Sequence, residues 1–231
     1  MKIFSLLPWI DWLALVTFFA LWIGYAWFAK AWGRKRLSLL KLTNQVRHDW
    51  MLQATGREQR IVDGSIIQAL SHTPSFFSST AIIVIGGLSA VLGTTDKMEE
   101  LMHEIPFAQA TPTLVFQFKV LVLIAIFVYA FFRCSWSMRE YTFVALVIGA
   151  MPQPQDFDAG SADRATYARR AGALVAAAAE SFNDGLRAYY LSFAAMAWLF
   201  SPLLLVLATL LVVGILYRRE FKSEVLTVLN D

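Results

Sequence analysis

A single cysteine, Cys134, stands in a chain of 231 residues. It excludes an internal disulfide and any metal site built from several cysteines, and it leaves the redox compartment unread. Histidine is nearly as scarce. His48, His72 and His103 fall in three separate regions, without the spacing of a metal site. No glycine-rich phosphate loop is present; Gly86-Gly87 lies inside an apolar run, where it suits close helix packing. No elbow motif presents a serine nucleophile. Charge is sparse too: 16% of residues are charged, against about 25% in a soluble domain. The net charge is +3. The cations are grouped, with no basic stripe interleaved with aromatics, which argues against a nucleic-acid module. Neither a metal nor another cofactor is expected.

What remains is apolar. Such residues make up 58% of the chain and gather into long runs, as a bilayer solvent demands. The fold class predicted is an all-α integral membrane protein, one domain over 1–231, with four transmembrane helices and helical cytoplasmic extensions. The spans fall at about 9–28, 76–92, 114–132 and 190–217. Twenty residues at about 1.5 Å each cover a hydrocarbon core of ~30 Å. Trp9 and Trp12 mark one interface of the first span, Trp27 and Trp32 the other. That run is too long for a signal peptide and reads as a retained anchor. Asp11 suits the N-terminal dipole of the first helix, and Lys119 snorkels outward from the third.

Four crossings divide the cations. Lys2, Lys97, Arg218, Arg219 and Lys222 fall on one side, and fourteen between Lys30 and Arg187 on the other. The positive-inside rule puts the larger group in the cytoplasm, so both termini are expected outside. The Arg218-Arg219 pair opposes that assignment. The implied location is the inner (cell) membrane.

Two cytoplasmic helical segments are expected, at about 36–53 and 163–189. In the first, Leu39, Leu42, Val46 and Trp50 form an apolar stripe at helical spacing. In the second, Asp163 is a cap, and Ala165, Ala168, Gly172, Ala176 and Ala179 make a small-residue face. The third span continues past Arg133 into a short apolar piece, Tyr141 to Met151, that reads as a buried cytoplasmic extension. Gly185 and Pro202 are candidate bends in a helix running on into the fourth span.

Three stretches carry a family resemblance: Ser78-Ser79-Thr80-Ala81-Ile82; Phe118-Lys119 through Ser137-Met138-Arg139-Glu140-Tyr141; and Gly185-Leu186-Arg187-Ala188-Tyr189-Tyr190-Leu191-Ser192-Phe193 with Trp198-Leu199-Phe200-Ser201-Pro202. In these the chain resembles a family of small bacterial and plant membrane proteins, domain of unknown function 599. The resemblance implies a four-span membrane fold and brings no reaction.

The candidate site lies at the inner boundary. Arg133, Arg139 and Arg187 are the candidate contacts for an anion or lipid headgroup, with Glu140 and Asp184 as charge partners. The competing account is internal pairing with snorkelling arginines. The leading expectation is a self-associating membrane protein, a homo-oligomer in the lipid bilayer, built around a channel or permeation pathway. The alternatives are an accessory or scaffold subunit, or a protein or enzyme that binds an anionic lipid headgroup. The enzymatic version lacks a convincing nucleophile or base.

Overall fold

A computed structural model describes residues 7–33, 37–93 and 113–230 of the protein. Among the described residues there are eight helices and no strand: α1 (Trp9–Gly33), α2 (Leu39–Ala54), α3 (Ile61–Gly93), α4 (Thr113–Gly149), α5 (Pro154–Asp158), α6 (Arg164–Ala197), α7 (Pro202–Phe221) and α8 (Glu224–Asn230). Helices α1, α3, α4 and the stretch Pro202–Val228 are long and apolar enough to cross a bilayer. The expectation of an all-α chain with four helices able to cross a membrane holds.

The fourth span departs from its expected course. The stretch 190–217 is not one helix. The chain turns at Trp198 to Phe200, and α7 starts afresh at Pro202. Ser201 is extended and its side chain accepts from the Leu204 N–H, while Pro202 occupies the first turn, where its missing N–H costs nothing. The two helices then run antiparallel. Arg219, near the far end of α7, donates to the Tyr190 hydroxyl on α6 at 3.0 Å.

This hairpin changes the path of the chain. Asp11 near the start of α1 meets Trp198 at the end of α6, and so does Lys119 near the start of α4. Lys30 near the end of α1 meets Asp184 of α6, and so does Arg133 of α4. Helix α1 therefore begins, and α7 ends, at opposite ends of the bundle. Both chain ends were expected on one side; residues 1–6 and 231 lie outside the described residues, and the described helices between them take a different path from the one expected. Lys2, Lys97 and the acidic loop between the second and third spans lie outside the described residues. Of the fifteen lysines and arginines that are described, only Lys119 belongs to the Trp198 end; the opposite end is the basic end.

Helices α3, α4 and α6 hold 33, 37 and 34 residues. At about 1.5 Å per residue they are about 50 Å long or more, well beyond a ~30 Å hydrocarbon core. The excess projects from the basic end and carries a core of its own. The membrane-level core includes Phe18, Leu123, Ile126, Leu191 and Trp198. The projecting core includes Met51, Tyr141, Val144, Ile148 and Phe157 packed on Ala168, Ala171 and Ala178 of α6. The apolar piece after Tyr141 is thus a buried continuation of α4.

Small residues on α6 let neighbours approach closely. A Cβ on Gly172 would lie 3.1 Å from the His48 Cα of α2. One on Gly185 would lie 2.7 Å from the Cys134 sulfur of α4, which leaves that position no room for a side chain. Two expected details differ. Ala165 is exposed, and the packed residues of α2 include Met51 and Ala54 while Val46 is 52% exposed. The helix is rotated from the predicted stripe because its close approach at Gly172 centres on His48. The loop from Pro152 contains the one-turn helix α5, and Gly160 there takes a left-handed φ of 75°.

The path fixes relative sidedness. Single cysteines placed at Trp9, Gly160 and Ser223 in a Cys134→Ala background are to be probed with a membrane-impermeant thiol reagent. Gly160 and Ser223 are expected to label from one side and Trp9 from the other. Labelling of Trp9 and Ser223 from the same side would refute the hairpin.

Candidate functional site

Burying charge in a low-dielectric setting is costly unless it is paired, so ionic groups at membrane depth collect around partners. At the basic end they collect on Asp184. The close contact at Gly185 brings α4 against α6 and places the Arg133 guanidinium 2.8 Å from Asp184. Lys30, in the last turn of α1, reaches the same carboxylate at 3.1 Å. Arg187, three residues on along α6, reaches it at 2.9 Å. The Asp184 and Arg187 side chains are each only 12% exposed. One carboxylate therefore serves three cations, and the buried Arg133 Nε still has no partner.

Beside this cluster is a cleft of about 230 Å³ between α1, α2, α6 and α7. Tyr25, Arg47, Arg187, Tyr190, Arg219 and Glu220 are among its walls. Arg47 donates to Thr43 and Asn44, and Arg219 donates to Tyr190 and lies over its ring. Among the described residues neither has a carboxylate within ion-pair distance. Burial lowers the Arg47 pKa, opposed by Tyr141 and Glu180 nearby; a guanidinium starts so high that it stays charged. Glu220 accepts from the Leu40 N–H at 3.0 Å, which ties α7 to the start of α2. Around the cleft and the cluster stand Lys30, Arg47, Arg133, Arg187 and Arg219, against Asp184, Glu220 and Glu180: five cations and three carboxylates.

A second polar cluster occupies the Trp198 end. The Lys119 ammonium donates to the Trp198 carbonyl at 2.9 Å and lies 3.5 Å from Asp11. The Trp198 indole N–H donates to Asp11 at 2.6 Å. Lys119 is 5% exposed and Asp11 6%. The expectations of a snorkelling lysine and a dipole-facing aspartate are therefore corrected: each is the other's buried partner. The indole and the carbonyl, freed where α6 ends, complete the network.

Of the candidate residues, the structure brings Arg133, Arg187 and Asp184 together. It does not bring Arg139 to them; that residue is exposed, with its guanidinium 5.7 Å from the Phe143 ring. Glu140 pairs with none of these arginines, and its Oε2 is buried without a partner. Lys30, Arg47 and Arg219 were not among the candidates. Lys30 was legible as a cation one turn beyond the first span. Arg219 was hidden by the assumed single fourth span, which put it on the wrong side.

Two of the stretches that carry the family resemblance meet directly, where Ser78 bonds Ser135 at 2.9 Å. Near them, Ser137 donates to the Ala178 carbonyl at 2.7 Å, and the Tyr189 hydroxyl donates to the Phe77 carbonyl. The model of one family, described as a protein of unknown function, DUF599, matches residues 13–225. No curated protein and no solved structure matches the chain.

The buried Asp11–Lys119 pair generates a double-mutant cycle. Lys119→Met strands a carboxylate and is expected to cost about 3–5 kcal/mol. Asp11→Asn keeps an acceptor for Trp198 but strands the ammonium. The double variant is expected to lose less than the sum of the two, with a coupling above about 0.5 kcal/mol, measured from thermal unfolding of the purified protein. Strictly additive losses would show that the two side chains act independently.

Proposed function

Because the chain belongs to the DUF599 family, whose description brings no activity, we propose a function from the geometry of the chain itself: it holds the phosphate of an anionic lipid headgroup at the basic end of the membrane. The observation that carries this is the uneven charge of the cleft. Internal pairing consumes Asp184 three times over, yet among the described residues Arg47 and Arg219 still have no carboxylate within ion-pair distance. Guanidinium groups suit phosphate oxygens through their planar fork. Of the candidate arginines, Arg187 lines the cleft, while Arg133 supports it through Asp184. The positive-inside rule places the basic end on the cytoplasmic side of a cell membrane, where anionic lipids are attracted to juxtamembrane cations.

A permeation path has less support. Inside one chain the two polar clusters are separated by Phe18, Leu123, Ile126 and Leu191, all buried and apolar. Such a path would have to run between copies.

The test is lipid retention by the purified full-length protein, read by native mass spectrometry against mixed phosphatidylglycerol and phosphatidylcholine. The wild type is expected to keep the anionic lipid preferentially. Arg47→Gln and Arg219→Gln should each weaken that preference about fivefold, from about 1 kcal/mol per cation near an anionic surface. Arg139→Gln should not. Equal retention of both lipids by the wild type would remove the headgroup from the account.

A further inference from the structure

Two apolar grooves adjoin the basic cleft, one on each flank of α7, and each shares lining residues with it. The first lies between α1 and α7, measures about 480 Å³, and shares Tyr25 with the cleft. Gly24 and Gly214 line it, and a Cβ built on either would meet nothing within 4 Å. The second lies between α6 and α7, measures about 100 Å³, and shares Tyr190, Leu216 and Arg219 with the cleft. Phe193, Val212 and Ile215 complete its apolar lining.

Depth and charge agree with one kind of occupant. The lining of the first groove reaches back along α7 to Leu210. That is nine residues from Arg219, about 14 Å at 1.5 Å per residue. Half of a ~30 Å hydrocarbon core is about 15 Å, the depth of one leaflet. Arginines thus stand where a phosphate would lie, and apolar grooves run from them into the same leaflet.

We infer that the occupant is a two-chain anionic phospholipid, its phosphate in the basic cleft and its acyl chains on either side of α7. This rests on the headgroup assignment and adds the ligand class. The lipid straddles the helix: one chain fills the space left by Gly24 and Gly214, and the other follows Phe193 and Ile215. Binding would brace α7 against α1 and α6 at the end where the hairpin is open. A single-chain lipid of the same charge would satisfy the cleft and leave one groove unfilled.

The experiment compares three probes on the full-length protein in detergent: dioleoyl phosphatidylglycerol, its single-chain lyso form, and soluble glycerol phosphate. Retention is read by native mass spectrometry. The diacyl lipid is expected to be held at least about tenfold more tightly than the lyso form, with glycerol phosphate weaker still. Gly214→Leu should bring the diacyl lipid down to the level of the lyso form. It should leave the preference for phosphatidylglycerol over phosphatidylcholine and the unfolding temperature of the lipid-free protein unchanged. Gly24→Leu fills the same groove from α1 and is the second variant, should the first fail to fold. Equal retention of diacyl and lyso forms, with the anionic preference intact, overturns the two-chain site and spares the headgroup assignment. Equal retention of glycerol phosphate and the diacyl lipid also overturns it. Loss of the anionic preference in the wild type overturns both.

Discussion

Asp184 is one carboxylate with three cations on it, and the arrangement at the basic end follows from that imbalance. Lys30, Arg133 and Arg187 come from α1, α4 and α6, so the same group ties three helices together. Each cation at this depth needs a partner or water. A single negative charge cannot neutralise three. The surplus is left at the boundary, beside a cleft whose other arginines have no carboxylate within ion-pair distance among the described residues. A surplus of positive charge is thus what remains after the bundle has satisfied its own charges as far as it can.

The two polar clusters set the scale of the membrane-level bundle. On α4, Lys119 and Arg133 are fourteen residues apart, and so are Asp184 and Trp198 on α6. Fourteen residues rise about 21 Å. Between these levels the described interior holds no ion pair. Ionic pairing in the membrane-level bundle is therefore confined to two planes, each near a boundary of a ~30 Å hydrocarbon core. The Trp198 cluster is balanced: one carboxylate, one ammonium, an indole donor and a carbonyl acceptor. The Asp184 cluster is not. That contrast is the ground on which the proposed binding role goes to the second.

Much of the architecture is legible in the sequence because a bilayer imposes long apolar runs and caps impose local chemistry. The spans from Phe76 and Leu114, and the capping by Asp163, follow directly from those signals. The hairpin was less legible. From Tyr190 to Tyr217 the chain is almost continuously apolar, so hydropathy reads one span. The break is written only in Ser201-Pro202, a helix-start pair that also fits a bend. That one ambiguity displaced Arg219 from the site. The pairing of Asp11 with Lys119 was illegible for another reason. The two lie 108 positions apart, and no local rule connects an aspartate at one helix start with a lysine inside another. Arg139 was drawn in by its neighbours in sequence, but its helix turns it outward, away from Asp184.

The most direct measurement is a density map of the full-length protein in nanodiscs of mixed phosphatidylglycerol and phosphatidylcholine. The account predicts a phosphate-sized feature in the cleft, within hydrogen-bond reach of Arg47, Arg187 or Arg219, continuous with tail density beside α7. A cleft closed by Glu220 swinging onto Arg47 and Arg219, with no lipid density against these arginines, would contradict it.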